Sequence, residues 1–142
     1  MNATELEAFC LRYMAAVNSR DTDVIAELFH EDVVWHDPAL PQPAHGWPEV
    51  ADFLNGMFRG IPDLRVEEPD PPHRSATGDD IAWAWRTLGT IQAQPDASGG
   101  ARVGHRVDLF GVDLWRLRNG RIALYRGVYD LSSLTGSATA GA

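Results

Sequence analysis

The chain has 142 residues, enough for one domain with a real core, and its 44% hydrophobic and 23% charged residues are the balance of a soluble globular protein. The net charge of −8 argues against nucleic acid and anionic membranes as partners, and no apolar run approaches the ~20 residues of a membrane span. All 12 basic residues are arginine and Cys10 is the single cysteine, which excludes a lysine Schiff base, an internal disulfide and a cysteine-rich zinc site.

The first residues, MNATELEAF, are acidic and polar, so no signal peptide and a cytoplasmic location are expected. Thr4 and Glu7 form a capping-box pattern ahead of Leu6, Phe9, Cys10, Tyr13 and Val17, which predicts a helix over 4–19. Asp21 or Thr22 caps a short second helix with Val24, Ile25, Leu28 and Phe29 on its apolar face. A strand is expected over 32–37, followed by the turn-rich PALPQPAHG. Trp47-Pro48 opens a third helix, with Val50, Phe53, Leu54, Met57 and Phe58 as its apolar positions.

Strands are then expected over 64–68, 81–92, 102–117 and 121–131. PDASGG joins the second of these to the third, and Arg118-Asn119-Gly120 is a strong hairpin turn between the third and fourth. The domain is expected over 1–131, with 132–142 a disordered tail. Helices first and long antiparallel strands later predict an α+β fold: a strongly bent sheet with helices packed on one face. The strand VDLFGVDLWRL is apolar on both faces. One face would cover the helices and a pocket, and the other a second copy of the chain, so a homodimer is expected.

Period two along that strand places Val107, Leu109, Gly111, Asp113, Trp115 and Leu117 on one face. Asp113 sits in an apolar stripe. If the stripe is buried, ionisation is costly and a neutral carboxyl with a raised pKa results, unless an arginine pairs with it. Tyr13 on the apolar face of helix one is either a core tyrosine or a donor into a pocket. Asp37, at a strand end before Pro38, is either a turn residue or a general base at a cavity mouth. Trp83 and Trp85 alternate on one strand face, Trp115 lies on the next strand, and Trp35 and Trp47 flank the proline-rich loop. Together they suggest a flat pocket wall for a large, apolar, polycyclic ligand. No GxSxG, GxGxxG or P-loop pattern occurs, and the five histidines lack metal-site spacing; no metal or cofactor is expected. His36 points away from Asp37 by alternation, His45 and His105 read as surface residues, and Arg116, Arg118, Arg121 and Arg126 as a solvated or dimer-facing set.

RYMAAVNSRDTDVIAELFHEDVVWHDPA, Arg12 to Ala39, resembles the opening of bacterial ketosteroid isomerases, and VDLWRLRNGRIA, Val112 to Ala123, their later strand pair. Over about residues 5–131 the chain resembles the nuclear transport factor 2-like superfamily, which includes the SnoaL-like domains. This implies a cone-shaped, mostly antiparallel sheet wrapped around three N-terminal helices and enclosing an apolar pocket. It implies a cofactor-independent catalyst of proton transfer in a hydrophobic cyclic ketone. Asp37 would be the base, and Tyr13 and Asp113 the donors to the dienolate oxygen. Trp35, Trp47, Phe53, Met57, Trp83, Trp85, Leu109, Trp115 and Tyr125 are the expected substrate-binding residues. Ketosteroid isomerase is itself the type example of a carboxylic acid kept neutral by its apolar site, and the resemblance extends that role to Asp113.

The pattern also departs from that family. Leu54 replaces its supporting tyrosine. The last strand, GRIALYRGVYDLSSL, resembles SnoaL-like polyketide cyclases and limonene-type epoxide hydrolases, whose acidic residue falls at Gly127. The epoxide hydrolases' arginine and aspartate fall at Trp85 and Thr87, so that constellation is absent. A polyketide cyclase or dehydratase, and a non-catalytic module that binds a small hydrophobic molecule, stand as alternative readings.

Overall fold

Helix α1, Ala3–Ser19, buries Leu6, Phe9, Cys10, Tyr13 and Ala16 along one stripe. The computed structural model describes residues 1–92 and 103–135. The capping box is real but lies two residues earlier than expected. Asn2 is the N-cap, its side chain accepting from the Glu5 N–H while Glu5 reaches back. An asparagine oxygen outside the first turn satisfies an otherwise unpaired N–H, and Thr4 is already helical. Arg20 closes the helix in the left-handed region at φ 55°. Helix α2, Thr22–Ala26, is capped by Asp21. Helix α3, Trp47–Gly60, begins after Gly46 with Pro48 in its first turn.

The strands are β1 Phe29–His36, β2 Ala44–His45, β3 Arg65–Glu67, β4 His73–Arg74, β5 Asp80–Thr90, β6 Arg106–Arg118 and β7 Arg121–Tyr129. They form one curled sheet in the order β2-β1-β7-β6-β5-β3, with β4 also pairing β5. All described pairings are antiparallel except β1 with β7. β1 begins three residues earlier than expected because Phe29 is buried and pairs with Ile122. β2 and β4 are two-residue edge pairings, too short for a periodic signal. Asn119 and Gly120 both have positive φ, 53° and 76°, the backbone of a type I′ hairpin turn.

Helix α4, Leu131–Thr135, forms within the stretch expected as a disordered tail. Asp130 accepts from the Ser132 N–H and hydroxyl and so starts the turn. The rest of that tail, 136–142, and the PDASGG connection lie outside the described residues.

The expected alternation in β6 holds. Val107, Leu109, Asp113 and Trp115 are buried, while Asp108, Phe110, Leu114 and Arg116 face outward. The concave sheet face closes on α1 and α3 around one core. On the convex face Phe110, Leu114 and Val128 are exposed, at 63%, 41% and 55%. No described helix is long and apolar enough to cross a membrane.

Candidate active site

Three strands set the site in register. Asp113 on β6 pairs with Trp83 on one side and Gly127 on the other. Trp35 pairs with Tyr125 and His36 with Arg126, so Asp37 lies one step beyond, beside Gly127. The inward positions therefore run Asp37, Gly127, Asp113 across the sheet. Tyr13 reaches the same place from the buried face of α1.

Asp113 is 2% exposed and accepts three hydrogen bonds. Its Oδ1 takes the Tyr125 hydroxyl at 2.6 Å and the Trp85 indole N–H at 2.8 Å, and its Oδ2 takes the Tyr13 hydroxyl at 3.3 Å. Burial pushes the Asp113 carboxyl up to about 7, against the opposing pull of its donors. No arginine pairs with it among the described residues. Arg86, Arg116 and Arg118 are engaged with Asp108, Asp80 and Asp32 on the surface. The arginine-paired alternative for Asp113 is therefore not the one realised. Gly111 makes the Trp85 contact possible: a Cβ there would lie 2.3 Å from the Trp85 ring.

Asp37 accepts the Tyr129 hydroxyl at 2.5 Å and the Ala39 N–H at 3.0 Å, both on Oδ1. The Ala39 bond is the Asx-type turn that the Asp-Pro sequence suggests. The turn and base readings thus coexist, because the turn uses one oxygen and leaves the other. Burial raises the Asp37 carboxyl above the ordinary range, opposed by Tyr129 and Ala39. Burial and nearby Asp113 hold the Tyr13 hydroxyl well above its usual pKa, and Tyr125 rises for the same reasons. Both phenols therefore stay protonated and act as donors.

One cavity of about 90 Å³ joins Asp37, Asp113 and Tyr13, with Trp35, Phe53, Met57, Trp83, Trp85, Leu109 and Tyr125 in its wall. Two expected pocket residues lie elsewhere. Trp47 packs on Phe29 with ring centroids 5.0 Å apart, and Trp115 sits behind Tyr13 at 4.6 Å. Trp115 belongs to the buried core and the half-buried Trp47 packs against it, because strand and helix packing consumes their faces before the cavity is reached. The tryptophan-rich wall is also tighter than expected. Sites for drug-sized ligands measure ~300–1,000 Å³, so a polycyclic molecule is not enclosed here.

Tyr129 is a further site residue, through its bond to Asp37. Its signal is period two along β7, since Tyr125, Gly127 and Tyr129 share the inward face. Leu54 lines the cavity, and the hydrogen bonds behind Tyr13 come instead from Tyr125 and Trp85, through Asp113. Among the described residues no cluster of metal-ligating side chains occurs.

The sequence profile of the SnoaL-like domain matches residues 11–125, and the chain belongs to that family. No curated protein sequence matches it. Solved structures with the same fold include a provisionally named SnoaL-like polyketide cyclase from Jannaschia sp. CCS1. It is 20% identical, with 94% of each chain covered and a TM-score of 0.77. A provisionally named isomerase from Bacillus subtilis is 20% identical over 100% of this chain and 98% of its own, with a TM-score of 0.76. An LEH-like epoxide hydrolase from M. tuberculosis is 16% identical over 94% and 84%, with a TM-score of 0.68. At these identities the likeness establishes the cone-shaped fold, on which several chemistries are built.

Proposed function

We propose that the protein is a cofactor-independent proton-transfer enzyme acting at the carbon next to a carbonyl of a hydrophobic ketone. The observation that carries this is the pairing of two carboxylates in one apolar cavity, Asp113 buried and Asp37 half-buried, each in a different hydrogen-bonded setting. Asp37 keeps Oδ2 free of hydrogen bonds among the described residues and faces the cavity from the strand end. It is the base. Asp113, with Oδ1 doubly occupied, takes its proton on Oδ2, the oxygen nearest Tyr13. Neutral Asp113 and Tyr13 then donate to the oxygen on which the enolate charge develops. A carbon–hydrogen bond breaks, its proton goes to Asp37, and the electron pair is held as the enolate until a proton returns to carbon.

The cavity size refines the substrate. An engineered cavity of ~150 Å³ holds benzene, and about 90 Å³ is smaller. The carbonyl-bearing end of the ketone enters, and the remainder of a larger substrate lies outside the enclosed volume. A cyclase or dehydratase would use the same two carboxylates on a longer substrate. It is favoured if conjugating isomerisation is absent while enolisation is present.

The test follows deuterium exchange at the α-carbon of small apolar ketones, together with conversion of a β,γ-unsaturated ketone to its conjugated isomer. Exchange lost in Asp37→Asn supports the reading. Ligand binding without exchange in the wild type would assign the chain to the non-catalytic alternative.

We also propose that the convex face pairs with a second copy. Phe110, Leu114 and Val128 form its apolar centre, and the exposed Arg86–Asp108 and Arg116–Asp80 pairs lie near it with both charges, as a self-complementary two-fold contact needs. Sedimentation should give a dimer that Phe110→Asp dissociates.

A further inference from the structure

Gly127 stands between the two carboxylates, and its missing side chain leaves room on the cavity side. A Cβ built there would lie 3.4 Å from the Tyr125 hydroxyl oxygen and 3.6 Å from Asp37 Oδ2. Two polar atoms thus face one small space, and both are acceptors. Asp37 Oδ2 accepts no hydrogen bond among the described residues. Tyr125 has committed its proton to Asp113, so its oxygen has only lone pairs to offer.

The third group is Trp35. Its indole N–H is buried with no hydrogen-bond partner among the described residues, although the side chain is only 3% exposed. The ring stacks on Tyr125 at 3.5 Å and 8°. Its N–H lies near enough to the Asp37 carboxyl to favour ionisation there, yet outside hydrogen-bond geometry. An unsatisfied buried donor is costly, which makes its persistence beside the Asp37 carboxyl informative. Two acceptors and one donor match a single water, which donates twice and accepts once. Buried waters typically make about three hydrogen bonds. Asp37 and Gly127 also border the outer groove under Pro38–Pro43, so this point is where the cavity comes near the exterior.

We propose that one water binds beside Gly127, held by Trp35, Asp37 and Tyr125, and that it carries protons between Asp37 and solvent. This builds on the assignment of Asp37 as base. After Asp37 takes the α-proton, that proton passes from Oδ2 to the water, and a solvent proton returns to Asp37 along the same path. No net charge moves and no bond to carbon is involved. The hydrogen delivered back to the substrate then comes largely from solvent.

Gly127→Ala is the discriminating variant. Its φ lies outside the left-handed region and the new methyl would make only ordinary van der Waals contacts, so the fold accommodates it. Indole N–H resonances report on the water directly, with Trp35 assigned by its disappearance in Trp35→Phe. In the wild type the Trp35 N–H should show cross-relaxation with water. In Gly127→Ala that cross-peak should be lost and the resonance should move upfield. Absence of the wild-type cross-peak, or its survival in Gly127→Ala, overturns the water site. With an α-deuterated ketone in ordinary water, the deuterium retained per turnover should rise in Gly127→Ala. Equal retention in both proteins overturns the exchange route. The resonance test needs no turnover, so a failure of the proton-transfer reading and a failure of the water site give different results.

Discussion

Asp37 and Asp113 are the same residue type in the same cavity, yet the fold treats them oppositely. Asp113 lies mid-strand, with Trp83 and Gly127 paired on either side, and three side-chain donors close around it. Asp37 lies where β1 stops and the proline-rich loop begins, with one side-chain donor and one backbone donor, both on the same oxygen. A carboxyl enclosed on both oxygens can store or lend a proton in place. A carboxyl with one free oxygen at a cavity wall can reach a substrate carbon. The difference comes from position along the strand rather than from residue chemistry, and it separates the roles of two otherwise identical acids.

Activity separates the two acids most sharply. Asp37→Asn should lower the rate of α-proton exchange by on the order of 10²–10⁴ while changing stability little. Exchange persisting at the wild-type rate would remove Asp37 from the base role.

The next effect falls on stability and belongs to the other carboxyl. Asp113→Leu strands the Tyr13, Tyr125 and Trp85 donors in the core, and each buried unsatisfied group costs ~1–3 kcal/mol. Denaturant unfolding should show a loss of several kcal/mol, against a small change for Asp37→Asn.

The third effect is its pH dependence. Asp113 titrates near 7 in the folded protein and near the ordinary carboxylate value when unfolded. The folded state therefore holds the extra proton between those values. Its contribution to stability is fully present below about pH 4 and is lost as pH rises toward and through 7. Asp113→Asn should flatten that slope. The donor role of neutral Asp113 implies a rate that also falls as pH passes 7, and a rate profile that rises there would reverse the assignment of its protonation state.

The smallest effects separate the two tyrosines that stand on the same face of β7. Tyr129→Phe removes a donor from Asp37 and should raise the pKa of the ascending limb of the rate profile. Tyr125→Phe should move the descending limb upward through Asp113. Each change should cost on the order of 1 kcal/mol of stability, the net scale of one hydrogen bond. A shift of the same limb in both variants would mean that the carboxyls act as one coupled pair.

Much of the site is legible in the sequence, residue by residue. Period two along β6 places Asp113 on the buried face, because a strand's alternation is fixed by its covalent geometry. Pro38 marks the end of β1, since proline cannot continue the ladder. The tryptophans are not separable by the same means. Trp35, Trp83 and Trp85 reach the cavity, while Trp47 and Trp115 spend their faces on Phe29 and Tyr13, and no local pattern distinguishes these outcomes. The alternation of Tyr129 with Tyr125 is visible in the sequence, but its role is not, because its partner, Asp37, is 92 residues away.

Which side chains face inward, where strands turn, and that two acids and several aromatic rings share one domain all follow from the amino-acid order. Those are consequences of backbone period and turn chemistry, which act over a few residues. That β1 runs parallel to β7, which brings Asp37 beside Gly127, while β7 in turn sets Gly127 beside Asp113, is a matter of tertiary packing. That parallel register depends on packing between segments far apart in the chain. From it follow the size of the cavity, the donors each carboxyl receives, and the room that one glycine leaves between them.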